Sequence, residues 1–154
     1  MNRYINLIVL CLLILFVAYS SGEPSVKDPR HIGESFLSSL EARDFQQLAG
    51  CFHSEAQGRF LIPPGLVEAV GKLEIAGKFR EWFGEADSFK IEESKVTALP
   101  DKLHISYRIR LHYEDTWYLV EHQIYAVVKE GLIDAIDLLC TGFLPISPQS
   151  NSES

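Results

Sequence analysis

The sequence predicts an α+β domain in which one curved antiparallel sheet wraps its apolar face around a few helices. Three observations lead there. Apolar residues recur at helical spacing early in the chain, at Ile32, Phe36, Leu37 and Leu40, and again at Leu73, Ala76, Phe79, Trp82 and Phe83. After Asp87 the period changes to two. Segment 103–113 then alternates strictly: Leu103, Ile105, Tyr107, Ile109, Leu111 and Tyr113 share one face, and His104, Ser106, Arg108, Arg110 and His112 the other. Helices first and long strands last is an α+β order.

Taken in order, residues 1–22 carry a single charge, Arg3, and 7–18 is an unbroken apolar run. Such a run suits a signal-peptide core and falls short of the roughly 18–20 apolar residues a membrane span needs. Small residues at Ala18, Ser20 and Gly22 suit cleavage there. The expectation is an exported domain, periplasmic or secreted. The alternative is a retained anchor over residues 4–19, the one case in which the protein meets a membrane. Residues 23–29 form a polar linker, the domain spans 30–146, and 147–154 is a polar tail. A first helix covers the Ile32–Leu40 positions. Asp44 heads a second, with Gln47 three residues on in a capping-box pattern and Phe45, Leu48, Ala49 and Phe52 as its stripe. Phe60, Leu61 and Ile62 read as a short strand stopped by a rigid Pro63-Pro64-Gly65 turn. A third helix runs over 70–83, with Gly84 as its C-terminal cap. Phe89, Ile91, Val96 and Ala98 belong to the next strand, 99–102 to a turn, and Glu114-Asp115 starts another. Strands over 117–128 and 132–143 flank a hairpin turn at 129–131.

Composition narrows the function classes. Apolar residues make up 47% and charged residues 23%, ordinary globular usage that excludes a disordered chain. A net charge of -7 opposes a nucleic-acid partner, whose phosphates need a basic surface. Cys11 leaves with the signal segment, and Cys51 and Cys140 form either one bridge or two buried thiols. No His-x-His, His-Glu-x-x-His or Cys-x-x-Cys spacing supports a metal. No Gly-x-Ser-x-Gly or Gly-x-Gly-x-x-Gly occurs, and Gly65 to Lys72 misses the phosphate-loop spacing, so no cofactor is expected.

Four stretches carry a resemblance: Leu40-Glu41-Ala42-Arg43-Asp44-Phe45; Phe60-Leu61-Ile62-Pro63-Pro64-Gly65; residues 71–83; and Val120-Glu121-His122-Gln123-Ile124-Tyr125 with Gly131-Leu132-Ile133 and Leu138-Leu139-Cys140-Thr141-Gly142-Phe143. In order and spacing they resemble the nuclear transport factor 2-like superfamily, and within it the SnoaL-like and ketosteroid-isomerase-like group, over residues 30–146. The resemblance implies a cone-shaped fold with an open pocket between sheet and helices, and a homodimer formed through the sheet. Isomerases, cyclases, dehydratases, hydrolases and binding modules share this fold, so it leaves the function open. The isomerase group's general-base Asp matches Ile62 here, and its oxyanion-hole Tyr matches Phe36. Its second pocket acid matches Glu121, in a Val-Glu-His similar to the group's Ile-Asp-His. With two of three groups missing, steroid isomerisation is not expected.

The expected function is binding of a small, largely apolar molecule in that cone, lined by Phe36, Leu61, Tyr107, Glu121, Gln123 and Tyr125, with Asp137 as a second pocket acid. The enzymatic alternative is an isomerase, cyclase or dehydratase in which Glu121 shuttles a proton and Tyr107 polarises a carbonyl. A third reading is an interaction module that dimerises or docks through the outer face of the sheet. A three-residue connection between segments 103–113 and 117–127 places Tyr107 opposite Gln123; a two-residue turn shifts that register. The bland readings are a Glu121 in solvent or paired with an Arg, a core Tyr107 with a satisfied hydroxyl, and a solvent-facing Asp137. The stripe of Lys102, His104, Arg108, Arg110 and His112 either pairs across strands with acids such as Glu92 or binds an anion. An open pocket favours the first two functions; a cone filled by Trp82, Phe83 and Trp117 favours the third.

Overall fold

The computed structural model describes residues 28–147. The expected export segment with Cys11, most of the linker and the tail beyond Ser147 lie outside the described residues. No described helix is long and apolar enough to cross a membrane.

Helix α1 (Arg30–Glu41) turns Phe36 and Leu40 inward, at the spacing its apolar stripe requires. Asp44 caps the short α2 (Phe45–Ala49), its Oδ1 accepting the Gln47 amide at 2.9 Å. Half of the expected capping box forms. The Asp44 amide, which a Gln47 side chain would otherwise satisfy, donates to the Ser39 carbonyl instead.

β1 (Phe52–Ile62) starts eight residues before the expected strand. Its inward positions include Ala56, Gly58 and Phe60, and the two small residues conceal the alternation. Their smallness has a use: a Cβ on Gly58 would stand 2.7 Å from the Phe60 ring and 3.1 Å from Ile75, so helix and sheet approach closely there. The Pro63-Pro64 turn leads into an unexpected edge strand, β2 (Gly65–Val70), which turns Ala69 inward and Leu66 and Val70 to solvent. Helix α3 (Lys72–Phe83) covers the expected span, burying Ile75, Ala76, Phe79 and Phe83 and ending at Gly84.

β3 (Ser88–Ala98), β4 (Leu103–Tyr113), β5 (Thr116–Lys129) and β6 (Leu132–Cys140) supply most of the sheet. A bulge between Ile91 and Glu93 lets Ile91 and Val96, an odd number apart, both meet the core. The final strand stops at Cys140 rather than at residue 143. Gly142 turns the chain at φ +83°, and a short β7 (Leu144–Ile146) pairs with the start of β5. Strand order is β2-β1-β6-β5-β4-β3, with β1 and β6 parallel. The three helices cover the concave face. Phe36 sits deep in that interface, edge-on to Phe79 at 5.4 Å and to Phe52 at 6.1 Å.

β4 and β5 are joined through the two residues Glu114 and Asp115, so Tyr113 pairs with Thr116. Tyr107 therefore faces His122 rather than Gln123, and Arg108 faces Glu121. The three-residue register is corrected by this turn, and with it the constellation that depended on it.

Candidate functional site

An open cavity of about 360 Å³ lies at the wide end of the cone. The end of α3 supplies one wall, Trp82 and Phe83. The turn after β1 supplies Ile62, Pro63 and Pro64, and the turn after β6 supplies Gly142 and Phe143. His122 from β5 and Cys140 from β6 reach it from the sheet. Trp82 and Phe83 line the space without filling it, and Trp117 is elsewhere, against His112 at 4.9 Å. The mouth is tightly built. A Cβ on Gly142 would come within 2.6 Å of Pro63, and the positive φ there independently favours glycine. The Tyr113 hydroxyl donates to the Trp82 carbonyl and ties the end of α3 to β4.

The imidazole of His122, on the lining of this cavity, is held from behind by Tyr107, which does not itself line it. The Tyr107 hydroxyl and His122 Nδ1 lie 2.7 Å apart, cross-strand neighbours on the concave face of β4 and β5. Both side chains are almost wholly buried. Rings surround the imidazole: Phe83 at 5.8 Å, Trp82 at 6.2 Å and Tyr107 itself at 5.1 Å between centroids. Burial pushes His122 down to about 3 and the Tyr107 hydroxyl well above its usual range, so both are neutral at ordinary pH. Nδ1 is committed to Tyr107, which leaves Nε2 as the ring nitrogen available to the cavity. Cys140 Sγ accepts the Gly142 amide at 3.2 Å, and burial raises its thiol. It is no ready nucleophile.

The expected site residues separate onto two faces. Tyr107 joins the site as the partner of His122. Phe36 is core, 6.3 Å from the Tyr107 ring and fully buried, beneath the dyad rather than in the cavity wall. Leu61, Glu121, Gln123, Tyr125 and Asp137 project from the outer face, away from the cavity. Alternation dictates this once the register is set: Val120, His122, Ile124 and Ala126 point in, so their odd-numbered neighbours point out. Glu121 accepts from Arg108 at 2.6 Å, and Asp137 from Arg59 at 2.6 Å. Gln123 bonds His104 at 2.8 Å, and Tyr125 stacks on His104 at 4.8 Å. A shared place for Glu121 and Tyr107 inside the cone is therefore corrected: the Tyr107 hydroxyl turns inward to His122 and the Glu121 carboxylate outward to Arg108. Glu121 and Gln123 line a polar depression on the outer face with Arg108, Lys95 and Glu93, and Tyr107 also contributes to its lining.

Three of the five residues of the basic stripe, Arg108, Arg110 and His112, meet acids across the strands, while His104 bonds Gln123 and Lys102 makes no ion pair among the described residues. Arg110 meets Glu92 at 2.5 Å, Arg108 meets Glu93 at 3.1 Å as well as Glu121, and His112 meets Asp87 at 3.2 Å. Cys51 and Cys140 are free thiols; burial pushes Cys51 up to about 11. Among the described residues no three His, Cys, Asp or Glu side chains gather where they could hold a metal ion.

His122 is the candidate site residue that sequence reasoning passed over. Its signal was its company: a histidine alternating with Val120, Ile124 and Ala126 sits on the more aliphatic face of its strand, and an imidazole among such residues is either partnered or costly.

Searched by sequence, the chain matches no family model and no curated protein. Its structure is similar to several solved ones. A protein from Catenulispora acidiphila, described as having a ketosteroid isomerase-like fold and bound to trimethylamine, aligns with a TM-score of 0.60 at 12% identity, over 70% of this chain and 82% of that one. An epoxide hydrolase of the LEH-like type from M. tuberculosis aligns at 0.57 and 16% identity, over 76% and 85%. A nuclear transport factor 2-like protein of unknown function from Cytophaga hutchinsonii aligns at 0.55 and 12% identity, over 75% and 92%. With the curved sheet, the helices in its concavity and the cavity at the wide end, these likenesses establish that the chain has the nuclear transport factor 2-like cone fold.

Proposed function

We propose that this protein binds a small, uncharged, largely apolar molecule in the cavity at the wide end of the cone. One observation carries the reading. The cavity has apolar and aromatic walls, and a neutral imidazole, held by a tyrosine hydroxyl, reaches into it. A few convergent polar groups in an otherwise apolar pocket are the general pattern of small-molecule sites, and about 360 Å³ lies near the lower end of their size range. Solved proteins of this fold include an LEH-like epoxide hydrolase and a protein in complex with trimethylamine, so the fold is compatible with both catalysis and binding. Binding is favoured here because His122 is too weak a base for proton transfer near neutrality and Glu121 is on the wrong side of the sheet. The apolar run at residues 7–18 supports export, so the ligand would be met outside the cytoplasm.

Native mass spectrometry of the protein purified from its own host tests the reading. A retained neutral molecule, lost in a Phe143→Arg variant that places a charge at the mouth, is the expected result. An empty wild-type protein that also fails to quench Trp82 fluorescence with millimolar acetophenone would overturn it. The same spectrum reports whether residues 1–22 are absent, as the export reading expects.

A second reading, compatible with the first, concerns the outer face. Leu61, Leu66, Val70 and Leu139 are between 46% and 63% exposed, and Leu61 is the cross-strand partner of both Leu66 and Leu139. A two-fold dimer needs only that one patch meet its own copy. The ion pairs beside this patch are already closed within the chain, so the second copy need bring no counter-charge.

A further inference from the structure

Resting on the binding reading above, we infer that the ligand carries a hydrogen-bond acceptor, such as a ketone or ester carbonyl on an aromatic frame, and that the Nε2–H of His122 grips it.

The argument is an accounting of donors. The Tyr107 hydroxyl is buried, and His122 Nδ1 is its one hydrogen-bond partner among the described residues. Two proton arrangements fit the 2.7 Å contact. In the first, Nδ1 carries the ring proton and donates to the tyrosine oxygen. The tyrosine's own proton then has only a sulfur to meet, because beside Phe36 and the imidazole the one polar neighbour is Cys140, a weak acceptor whose Sγ is already engaged by the Gly142 amide. In the second, the hydroxyl donates and Nδ1 accepts, so a neutral ring must carry its proton on Nε2. The second gives the buried hydroxyl a full nitrogen acceptor, which the first does not, and a buried donor left without one is costly. Tyr107 thus sets the tautomer from beneath, and the cavity receives an N–H.

The rest of the cavity restricts what that N–H can meet. No carboxylate, lysine or arginine lines it. An anionic ligand would find no counter-charge, and a cationic one no carboxylate. Cys140 Sγ is occupied by the Gly142 amide and is a weak acceptor in any case. A ligand whose only polar group is a donor would therefore lose its hydrogen bonds to water and gain little in return. Trp82, Phe83 and Phe143 present ring surfaces around the imidazole, Phe83 lying 6.3 Å from Trp82 and 6.1 Å from Phe143 between centroids, and the indole N–H of Trp82 is a further donor on the lining, so a ligand acceptor is favoured twice. Aromatic rings stack or meet edge-on against such walls. An aryl ketone satisfies every one of these conditions.

The first test uses uniformly 15N-labelled protein. Long-range proton–nitrogen spectra distinguish a protonated, pyrrole-like ring nitrogen from a bare, pyridine-like one. His122 is identified as the imidazole missing from a Tyr107→Phe/His122→Phe double variant, which removes both partners together and orphans neither. A pyrrole-like Nε2 with a pyridine-like Nδ1 is expected; the reverse pattern overturns the inference.

The second test uses two probes of one shape, acetophenone and isopropenylbenzene, in which C=CH2 replaces C=O. Affinity for acetophenone relative to isopropenylbenzene should fall tenfold or more from wild type to the double variant, and an unchanged ratio overturns the proposal. Should the double variant fail to fold, the carbonyl stretch of 13C-labelled acetophenone bound to wild type decides instead. It should lie below its value in hexane; an unshifted band overturns the inference. Binding of neither probe to wild type overturns this ligand class and the binding reading together, whereas a bare Nε2 in a protein that binds both overturns this inference alone.

Discussion

An imidazole enclosed by Phe83, Trp82 and Tyr107 has an expensive charged form, and this sets how the protein responds to acid. His122 titrates near 6.5 when exposed and at about 3 when folded. Between those values the unfolded chain binds a proton that the folded chain refuses. The stability associated with the neutral ring is therefore complete above about pH 6.5 and is lost as pH falls toward 3, at up to roughly 1.4 kcal/mol per pH unit. Gln in place of His122 keeps an amide oxygen to accept from Tyr107 but has no proton to gain. His122→Gln should flatten this acid limb, as urea midpoints from pH 7 to pH 4 will show; parallel limbs in the two proteins would mean that His122 is not a buried neutral ring. Glu121, one residue away, predicts the opposite outcome. It is 37% exposed and paired with a 38% exposed Arg108, where solvent screening leaves the ion pair with little effect on stability. Glu121→Gln should leave the urea midpoint nearly unchanged and acetophenone affinity unchanged. A tenfold loss of affinity would return Glu121 to the cavity.

Which of these neighbours faces inward is decided by one turn. Two residues join β4 to β5, and Glu114 holds φ 51° to close it. A non-glycine residue in that region costs roughly 1 kcal/mol, and glycine relieves it while adding entropy to the unfolded chain. Glu114→Gly should therefore be neutral to slightly stabilising, within about 1 kcal/mol in thermal unfolding, and should preserve the Tyr107–His122 pair. A destabilisation of several kcal/mol would show that the Glu114 side chain, rather than its backbone, sets the register. The other register devices are similarly local: the bulge after Ile91, the positive φ of Glu130 and Gly131 between β5 and β6, and the Gly142 bend. Each lets a strand keep its apolar set on the concave face.

At the scale of the molecule, the helices and the narrow part of the sheet are filled by Phe36, Phe52, Phe60 and Phe79, and the space left open lies where α3 ends. A cone closed by rings on one side and bordered by Pro63, Pro64 and Gly142 on the other keeps a preformed site. The outer surface is divided: a leucine patch on β1, β2 and β6, and closed ion pairs across β3, β4 and β5. Burying the patch between two copies is the expected use. Light scattering should give twice the monomer mass, and the double variant Leu61→Glu/Leu139→Glu should give the monomer with its cavity intact, read by acetophenone binding. A monomeric wild type at all concentrations would leave the outer face as ordinary solvated sheet.

Much of this architecture is legible in the chain. Periodicity alone marks α1, α3 and β4, because a helix or strand that buries one face must repeat its apolar residues at its own period. The two faces of β5 are legible as well, since His122 alternates in step with Val120 and Ile124. What alternation does not say is which face is the inside when both carry apolar residues, as β5 does with Leu119 and Tyr125 on its outer side. β2 and the first half of β1 escape for a related reason: Ala56, Gly58 and Ala69 are small and carry a weak hydrophobic signal, yet the helices pack there because the residues are small. The site is a tertiary fact. Tyr107 and His122 lie fifteen residues apart, and they meet because a two-residue turn sets the pairing. Had Thr116 been drawn into that connection, making it three residues long, Gln123 would have replaced His122 opposite Tyr107. The chain thus supplies the residues and their periods, while the turn between two strands chooses which polar side chain enters the apolar cavity.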